Sequence, residues 1–155
     1  MIMRKVFNKY SGKGKFKTED GGAVYDGDWV NGVPHGEGKL TQSDGLVYEG
    51  DFFYGDFHGK GKMTYPDGDI YEGDFVNDVP HGKGKLTYEN GSVYEGEFSY
   101  GGMHGQGKQT YTDGRIYEGG FYWDTHDQPV GEGTMTYPDG RIVKGRWKNC
   151  KFTEK

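Results

Sequence analysis

In short stretches of this chain, every second residue is glycine or apolar and the residues between are mostly charged or polar. Such stretches lie on both sides of Asp-Gly pairs. Residues 59–75 read Gly-Lys-Gly-Lys-Met-Thr-Tyr, then Pro-Asp-Gly, then Asp-Ile-Tyr-Glu-Gly-Asp-Phe. A period of two is typical of a β-strand with one buried face. Proline and aspartate favour a type I turn, and Gly68 can then take the left-handed conformation that a three-residue hairpin loop needs. The pattern therefore predicts a β-hairpin over residues 59–75.

The loop also sets the register of the two strands, because a shift of one residue would exchange their faces. One face then pairs Met63 with Tyr71, Gly61 with Gly73, and Gly59 with Phe75. The other face pairs opposite charges, Lys62 with Glu72 and Lys60 with Asp74. The same rule predicts the pairs Lys39 with Glu49, Lys85 with Glu95, Lys108 with Glu118, and Glu132 with Arg146. The first hairpin has one extra turn residue, and a four-residue loop over residues 19–22 pairs Phe16 with Tyr25 and Lys15 with Asp26. Two pairs depart from the charge rule, Glu37 opposite Asp51 and Thr134 opposite Lys144.

The hairpin pattern recurs with a period of 23 residues, the spacing of Tyr48 and Tyr71. Periods of this size indicate stacked supersecondary units that bury their apolar faces against their neighbours. We expect an all-β fold, an elongated single-layer antiparallel sheet of about six hairpins shaped as a twisted rod or open trough, with helix absent or confined to the ends. We expect one repeat array over residues 1–155, with hairpins at about 10–29, 36–52, 59–75, 82–98, 105–121 and 131–147 and a C-terminal cap at 148–155.

Aromatic residues recur on the same face as the paired glycines. They are Tyr25, Trp29, Tyr48, Phe52, Tyr71, Phe75, Tyr94, Phe98, Tyr117 and Phe121. Paired glycines weaken a sheet unless neighbouring side chains cover their bare backbone, so we expect these rings to lie across the glycines. Two interpretations of this aromatic face are open and can coexist: it is the core of the protein, or it is a trough that binds a peptide.

Composition and charge narrow the classes of function. The net charge is −5 and the basic residues form no cluster, which argues against binding to nucleic acid. No apolar run is long enough to span a bilayer and no segment resembles a signal peptide, so we expect a cytoplasmic protein. Cys150 is the only cysteine, which leaves no intrachain disulfide and no thiolate metal site.

The string Tyr-Glu-Gly-[Asp/Glu]-Phe, followed by His-Gly-x-Gly and Asp-Gly at this period, resembles the MORN repeat (membrane occupation and recognition nexus) over about residues 10–147. The resemblance implies an all-β hairpin array that binds proteins, forms homodimers or binds phospholipids. It also implies a small repeat-only member, of the kind found in cytoskeletal assemblies such as ciliary radial spokes. We therefore expect a non-catalytic scaffold or adaptor for protein–protein interaction, with a cytoskeletal or ciliary assembly as one setting. The alternative is a peripheral module that binds phospholipids.

Periodic polar residues invite catalytic or metal-binding hypotheses. Four histidines keep the period: His35, His58, His81 and His104. Equivalent positions in adjacent repeats lie ~10 Å apart, too far for a shared zinc ion, so we expect the imidazoles to bond to local backbone. The recurring Lys and Glu pairs are expected to be structural, because a catalytic site would break the repeat symmetry. We expect no enzymatic activity, no metal and no cofactor.

Positions that break the period are better candidates for partner binding. The segments that connect the hairpins alternate with a 46-residue superperiod, which brings Tyr54, Phe57, Tyr100 and Met103 into the candidate set. The segment 122–130 is three residues longer than its counterparts and adds Tyr122 and Trp123. Aromatic residues in connecting loops are typical interface hot spots. The alternatives are that the superperiod is a relic of duplication and that Trp123 packs back onto the sheet.

The identity of the binding surface stays open at this stage. The aromatic face, the edge that carries Tyr54 and Tyr100, and the exposed terminal strands are all candidates, and the terminal strands also allow a homodimer. Binding to membrane lipid would use Lys60, Lys62, Lys83 and Lys85. Cross-strand acids are expected to neutralise those lysines, which disfavours the lipid alternative.

Overall fold

The computed structural model describes residues 9–122, 128–148 and 151–153, and every regular element in these ranges is a β-strand. The strands are β1 (Gly12–Lys17), β2 (Ala23–Val30), β3 (Val33–Gln42), β4 (Val47–Phe53), β5 (Asp56–Thr64), β6 (Ile70–Val76), β7 (Val79–Thr87), β8 (Val93–Ser99), β9 (Gly102–Thr110), β10 (Ile116–Tyr122), β11 (Gln128–Thr136), β12 (Ile142–Lys148) and β13 (Lys151–Thr153). Trp123 and Cys150 lie outside the described residues, so the hypotheses about their side chains stay predictions.

The strands form one antiparallel sheet in which chain order is also sheet order. This confirms the predicted fold class, an all-β single-layer sheet of hairpin repeats. Contacts divide the chain into two compact units, Met1–Val79 and Pro80–Lys155. We call them unit 1 and unit 2 and describe each by itself.

The predicted register is confirmed in both units. In unit 1, Gly61 pairs with Gly73, Lys62 with Glu72 and Met63 with Tyr71. The remaining predicted pairs are also present, in the hairpins β1–β2, β3–β4, β7–β8, β9–β10 and β11–β12. The Tyr65 N–H donates to the Asp69 carbonyl oxygen at 2.8 Å across the Pro-Asp-Gly turn. The turn therefore fixes the register, as expected from its residues.

The connections between these hairpins are shorter than predicted. The predicted hairpins 36–52 and 59–75 leave residues 53–58 as a connecting segment, but the connection is a two-residue turn and the flanking residues belong to β4 and β5. In the turn from β4 to β5, Tyr54 has φ of 47° and Gly55 has φ of 96°. Two consecutive positive values are typical of a type I′ turn, whose twist matches that of the strands. The loop placement of Phe57 and Met103 is therefore wrong: both are strand residues and are buried, with 7% and 1% of their surface exposed.

The His-Gly pairs mark bulges next to these turns. Between the pairs Gly50–Gly61 and Phe52–Phe57, the single residue Asp51 lies opposite three residues of β5. Gly59 lies in this bulge with φ of 60°, and a Cβ atom added there would lie 2.6 Å from the Asp51 carboxylate. Glycine is therefore required by both backbone conformation and space.

Glycines pair with glycines from strand to strand and form a continuous row in each unit. The rows are Gly14, Gly27, Gly38, Gly50, Gly61 and Gly73 in unit 1, and Gly84, Gly96, Gly107, Gly119, Gly133 and Gly145 in unit 2. Tyrosine rings cover these rows: a Cβ atom built on Gly61 would lie 2.5 Å from the Tyr48 hydroxyl oxygen. In the last hairpin the Phe152 ring covers Gly145 instead.

The aromatic face is the core of each unit. Tyr25, Tyr48, Tyr71, Tyr94 and Tyr117 have 0% of their surface exposed. The Tyr48 hydroxyl donates to the Asp51 carbonyl oxygen at 2.8 Å, and its ring meets those of Phe52 and Phe75 edge to face, with centroids 5.1 and 5.0 Å away. Because these rings are fully covered, the core interpretation is favoured over a peptide-binding trough at the tyrosines.

Candidate interaction surface

The face opposite the tyrosines carries ladders of charged side chains, and we call it the charged face. One ladder in unit 1 runs Lys15, Asp26, Lys39, Glu49, Lys62 and Glu72, so each residue faces opposite charges on the neighbouring strands. Its salt bridges include Lys62–Glu72 at 3.2 Å and Lys39–Glu49. These side chains are about half exposed, so each pair contributes little to stability.

A second ladder lies closer to the type I′ turns. In unit 1 it pairs Lys13 with Asp28 and Lys60 with Asp74, with nitrogen–oxygen distances of 3.8 and 2.6 Å. The pair between them is the predicted exception, Glu37 opposite Asp51. Asp51 accepts a hydrogen bond from the Lys60 backbone N–H at 3.1 Å.

Lysines proposed for lipid binding are engaged in these ladders. Lys60 and Lys62 form ion pairs with Asp74 and Glu72. Lys83 and Lys85 lie opposite Glu97 and Glu95. The charged face therefore offers no stripe of free cations at these four positions.

An exposed aromatic cluster lies on the charged face of unit 1, where the turn from β4 to β5 begins. Phe53 is 51% and Tyr54 58% exposed, and their ring centroids are 4.7 Å apart. The Phe53 ring also lies between those of His35 and His58, at 5.4 and 5.5 Å. We call these four residues the aromatic turn cluster.

The histidines have different environments from one repeat to the next. The Tyr54 backbone N–H donates to His35 Nδ1 at 3.4 Å, as expected for a histidine that supports a turn. Nδ1 of His58 and of His104 is buried without a hydrogen-bond partner among the residues that the structure describes, so the expected bond to backbone is not seen at those two atoms. Among the residues that the structure describes, no three metal-ligating side chains come together.

Unit 2 exposes tyrosines in related positions. Tyr100 begins the turn from β8 to β9 with φ of 51° and is 85% exposed. Tyr122 at the end of β10 is 41% exposed, and its ring lies 5.3 Å from that of His104. Of the six predicted partner-binding residues, Tyr54, Tyr100 and Tyr122 are therefore exposed, while Trp123 lies outside the described ranges.

The charged face of unit 2 also contains a shallow groove of about 640 Å³. Its floor is formed by glycines of the row, and its walls by both signs of charge, including Glu118, Glu132 and Lys144. Lys144 faces Thr134 instead of an acid, which was the second predicted exception. The groove has no nucleophile paired with a base among its lining residues, so its residues suggest no catalytic chemistry.

Phe53 is a residue that sequence reasoning did not select. The register already placed Glu37 opposite Asp51, and Phe53 follows Asp51 by two residues on the same strand. An exception to the charge rule next to an aromatic residue was the available signal. The predicted hairpins end before Phe53, so the sequence prediction places this residue in a connecting segment.

Comparison with known protein families finds the same repeat. The pattern of the MORN repeat matches residues 6–23, 25–47, 48–70, 71–93, 94–114 and 117–140. The chain belongs to the MORN repeat family. The MORN segment 48–70 begins at Tyr48, the second residue of β4, so it contains β4 from that residue on, the type I′ turn and β5. MORN repeats are interaction modules for proteins or membranes and form a non-enzymatic repeat family.

Comparison with solved structures gives a weaker likeness. A similar structure is the TCP domain of SAS-4 (dCPAP) in complex with a proline-rich motif of Ana2 (dSTIL) of Drosophila melanogaster. It is 12% identical, the alignment covers 92% of this MORN chain and 97% of that chain, and the TM-score is 0.38. No curated protein matches the chain significantly. In the described part of the chain, no helix has the length and apolar character needed to cross a membrane.

Proposed function

We propose that this MORN chain is a non-catalytic scaffold that binds a protein partner through exposed aromatic residues at its type I′ turns. The observation that carries the proposal is the conformation of Tyr54 and Tyr100, which have positive φ of 47° and 51°. The corresponding turn positions in other repeats hold Asn31 and Asn77.

Positive φ is costly for a bulky side chain and easy for asparagine. The tyrosines are therefore not explained by the needs of the turn. They are also not explained by burial, because they are 58% and 85% exposed. Exposed aromatic residues held on a rigid turn have the properties of interface hot spots.

The test is affinity capture from the native source with the full chain and with the double variant Y54N/Y100N. Asparagine suits the turn, so the variant keeps the fold while it removes both rings. We expect captured proteins to fall several-fold, measured by quantitative mass spectrometry against a tag-only control. The matched control is Asn31→Gly, which changes the same turn position in another repeat and leaves both tyrosines. Unchanged recovery with the double variant would remove these turns as the binding surface.

We also propose that the protein lies in the cytoplasm and associates with the cytoskeleton. Its support is the single cysteine of the chain, which suits a reducing compartment, together with membership of the MORN family. Immunofluorescence of the endogenous protein with cytoskeletal markers tests it, and a signal confined to a membrane organelle would contradict it. Sedimentation with phosphoinositide vesicles at physiological salt is expected to leave the protein in the supernatant, because its ladder lysines are paired.

A further inference from the structure

The facing carboxylates Glu37 and Asp51 are an exception on the charged face of unit 1. Like charges directly opposite each other on neighbouring strands destabilise a sheet. Among the described residues, neither carboxylate has a salt bridge, whereas Asp28 and Asp74 in the same ladder each have a lysine. The pair is therefore a cost to folding that no salt bridge within the described part of unit 1 offsets.

This pair adjoins the most exposed aromatic side chains in the described part of unit 1, Phe53 and Tyr54. Phe53 lies two residues after Asp51, so both side chains project from the same face of β4. The Cα partner of Phe53 on β5 is Asp56, a third carboxylate without a salt bridge among the residues described. We call Glu37, Asp51, Phe53 and Asp56 the acidic aromatic patch.

We propose that the acidic aromatic patch docks a basic segment of a partner protein, with an arginine side chain stacked on the Phe53 ring and hydrogen-bonded to the carboxylates of Asp51 and Glu37. This rests on the proposed function as a protein-binding scaffold and names the chemistry of the partner. Charge complementarity selects the occupant, because three carboxylates without a salt bridge among the described residues lie at neighbouring register positions beside the exposed Phe53 ring. A planar guanidinium suits both features, since it stacks on aromatic rings and bonds carboxylates with two parallel donors.

Unit 2 holds the same strands without the patch and serves as an internal comparison. At the equivalent positions, Lys83 faces Glu97 and Ser99 faces Gly102. The repeat fold therefore requires neither the like-charge pair nor the exposed ring. Their presence in unit 1 is the feature that recognition by a basic segment explains.

The test uses a phage-displayed library of random dodecapeptides selected on the full chain, with counter-selection on E37K. This variant is expected to fold, because it restores the lysine found at the equivalent position 83. Enriched peptides are synthesised, and their affinity is measured by fluorescence anisotropy. We expect arginine next to an apolar residue in the enriched sequences, and affinity at least about tenfold lower for E37K and for Phe53→Ser.

Matched controls separate local contacts from net charge. E37Q and E97Q each remove one carboxylate from the second ladder, the first at the patch and the second in unit 2. Only E37Q is expected to weaken binding beyond the small effect of a changed net charge.

Enriched peptides that lack arginine, that are acidic, or that bind E37K as well as the original chain would each overturn the inference. Failure to enrich any peptide would overturn it as well. The proposed function would survive these results, because its own test is loss of captured proteins with Y54N/Y100N, which leaves the acidic aromatic patch in place.

Discussion

Replacing the exposed turn tyrosines with asparagine is expected to stabilise the protein. Tyr100 has φ of 51°, a conformation that costs a bulky residue about 1 kcal/mol and asparagine much less. Its side chain is 85% exposed, so its loss forfeits little contact. We therefore expect Y100N to raise the free energy of unfolding by about 1 kcal/mol, or to raise Tm by about 2–4 °C for a chain of this size.

The gain should be smaller for Y54N, because the Tyr54 ring has neighbours. Its centroid lies 4.7 Å from that of Phe53 and 5.0 Å from that of His35. Edge-to-face contacts of this kind are worth about 0.5–1.5 kcal/mol when buried and less for a ring that is 58% exposed. We expect a net gain of about 0.5 kcal/mol or less.

Urea unfolding followed by far-UV circular dichroism measures both effects as a shift of the midpoint at constant slope. The reverse substitution Asn31→Tyr is the control, and it should lose about 1 kcal/mol because it introduces a bulky side chain at φ of 50°. A neutral or destabilising Y100N would refute the reasoning. It would mean that the tyrosine supports the fold, and the main argument for its role in binding would fail.

Two further predictions concern the core. Gly61→Ala places a methyl group 2.5 Å from the Tyr48 hydroxyl oxygen and should lower the free energy of unfolding, measured with urea, by about 1–3 kcal/mol. The control Gly91→Ala has φ of 88° but no atom within 4 Å of the added methyl group, so it should cost only about 1 kcal/mol. Equal losses for the two variants would contradict the role of the tyrosine ring. Burial raises the pKa of Tyr25 and Tyr48, so these phenols stay neutral in the folded state at a pH where the unfolded chain ionises. Their contribution to stability is complete below about pH 10 and is lost as pH rises through the folded pKa; Tm measured from pH 8 to 11 should fall less steeply for Tyr48→Phe.

The fold could be predicted because each hairpin is specified locally. Pro-Asp-Gly fixes the register of β5 and β6, and a two-residue period then assigns every side chain to a face. The same reasoning placed Tyr48 on the glycine face, where its ring does lie. The folded protein keeps these local preferences for turn, register and face because all of them favour the same structure.

The type I′ turns and the bulges were harder to foresee. Asn31-Gly32 is a strong signal for a type I′ turn, but Tyr54-Gly55 is not, because tyrosine disfavours positive φ. The bulge at Gly59 depends on the space that the Asp51 side chain occupies, which only the folded strand pair defines. Because the predicted hairpin ends at Phe52, the sequence prediction does not extend the charged face to Phe53, and the predicted candidate site is therefore incomplete.

The buried face and the charged face of the sheet differ in how many substitutions they tolerate, and this difference gives a last prediction. The buried face is constrained, because each tyrosine ring must fit the glycine of the next strand. The charged face is less constrained, because an exposed cross-strand pair changes the free energy of unfolding by only about 0.2–1 kcal/mol. Glu37→Lys should therefore stabilise unit 1 by about 0.5–1 kcal/mol, since it removes a repulsion with Asp51 and adds an attraction.

Lys83→Glu makes the opposite exchange in unit 2, where it creates the arrangement of unit 1 opposite Glu97. It should lose a similar amount, and both effects should shrink in 1 M salt, where screening acts over about 3 Å. Urea unfolding at low and high salt decides the question. If Glu37→Lys failed to stabilise the protein at low salt, the facing carboxylates would not be a cost to folding. The case for reading them as a recognition feature would then be lost, because a pair that costs nothing needs no function to explain it.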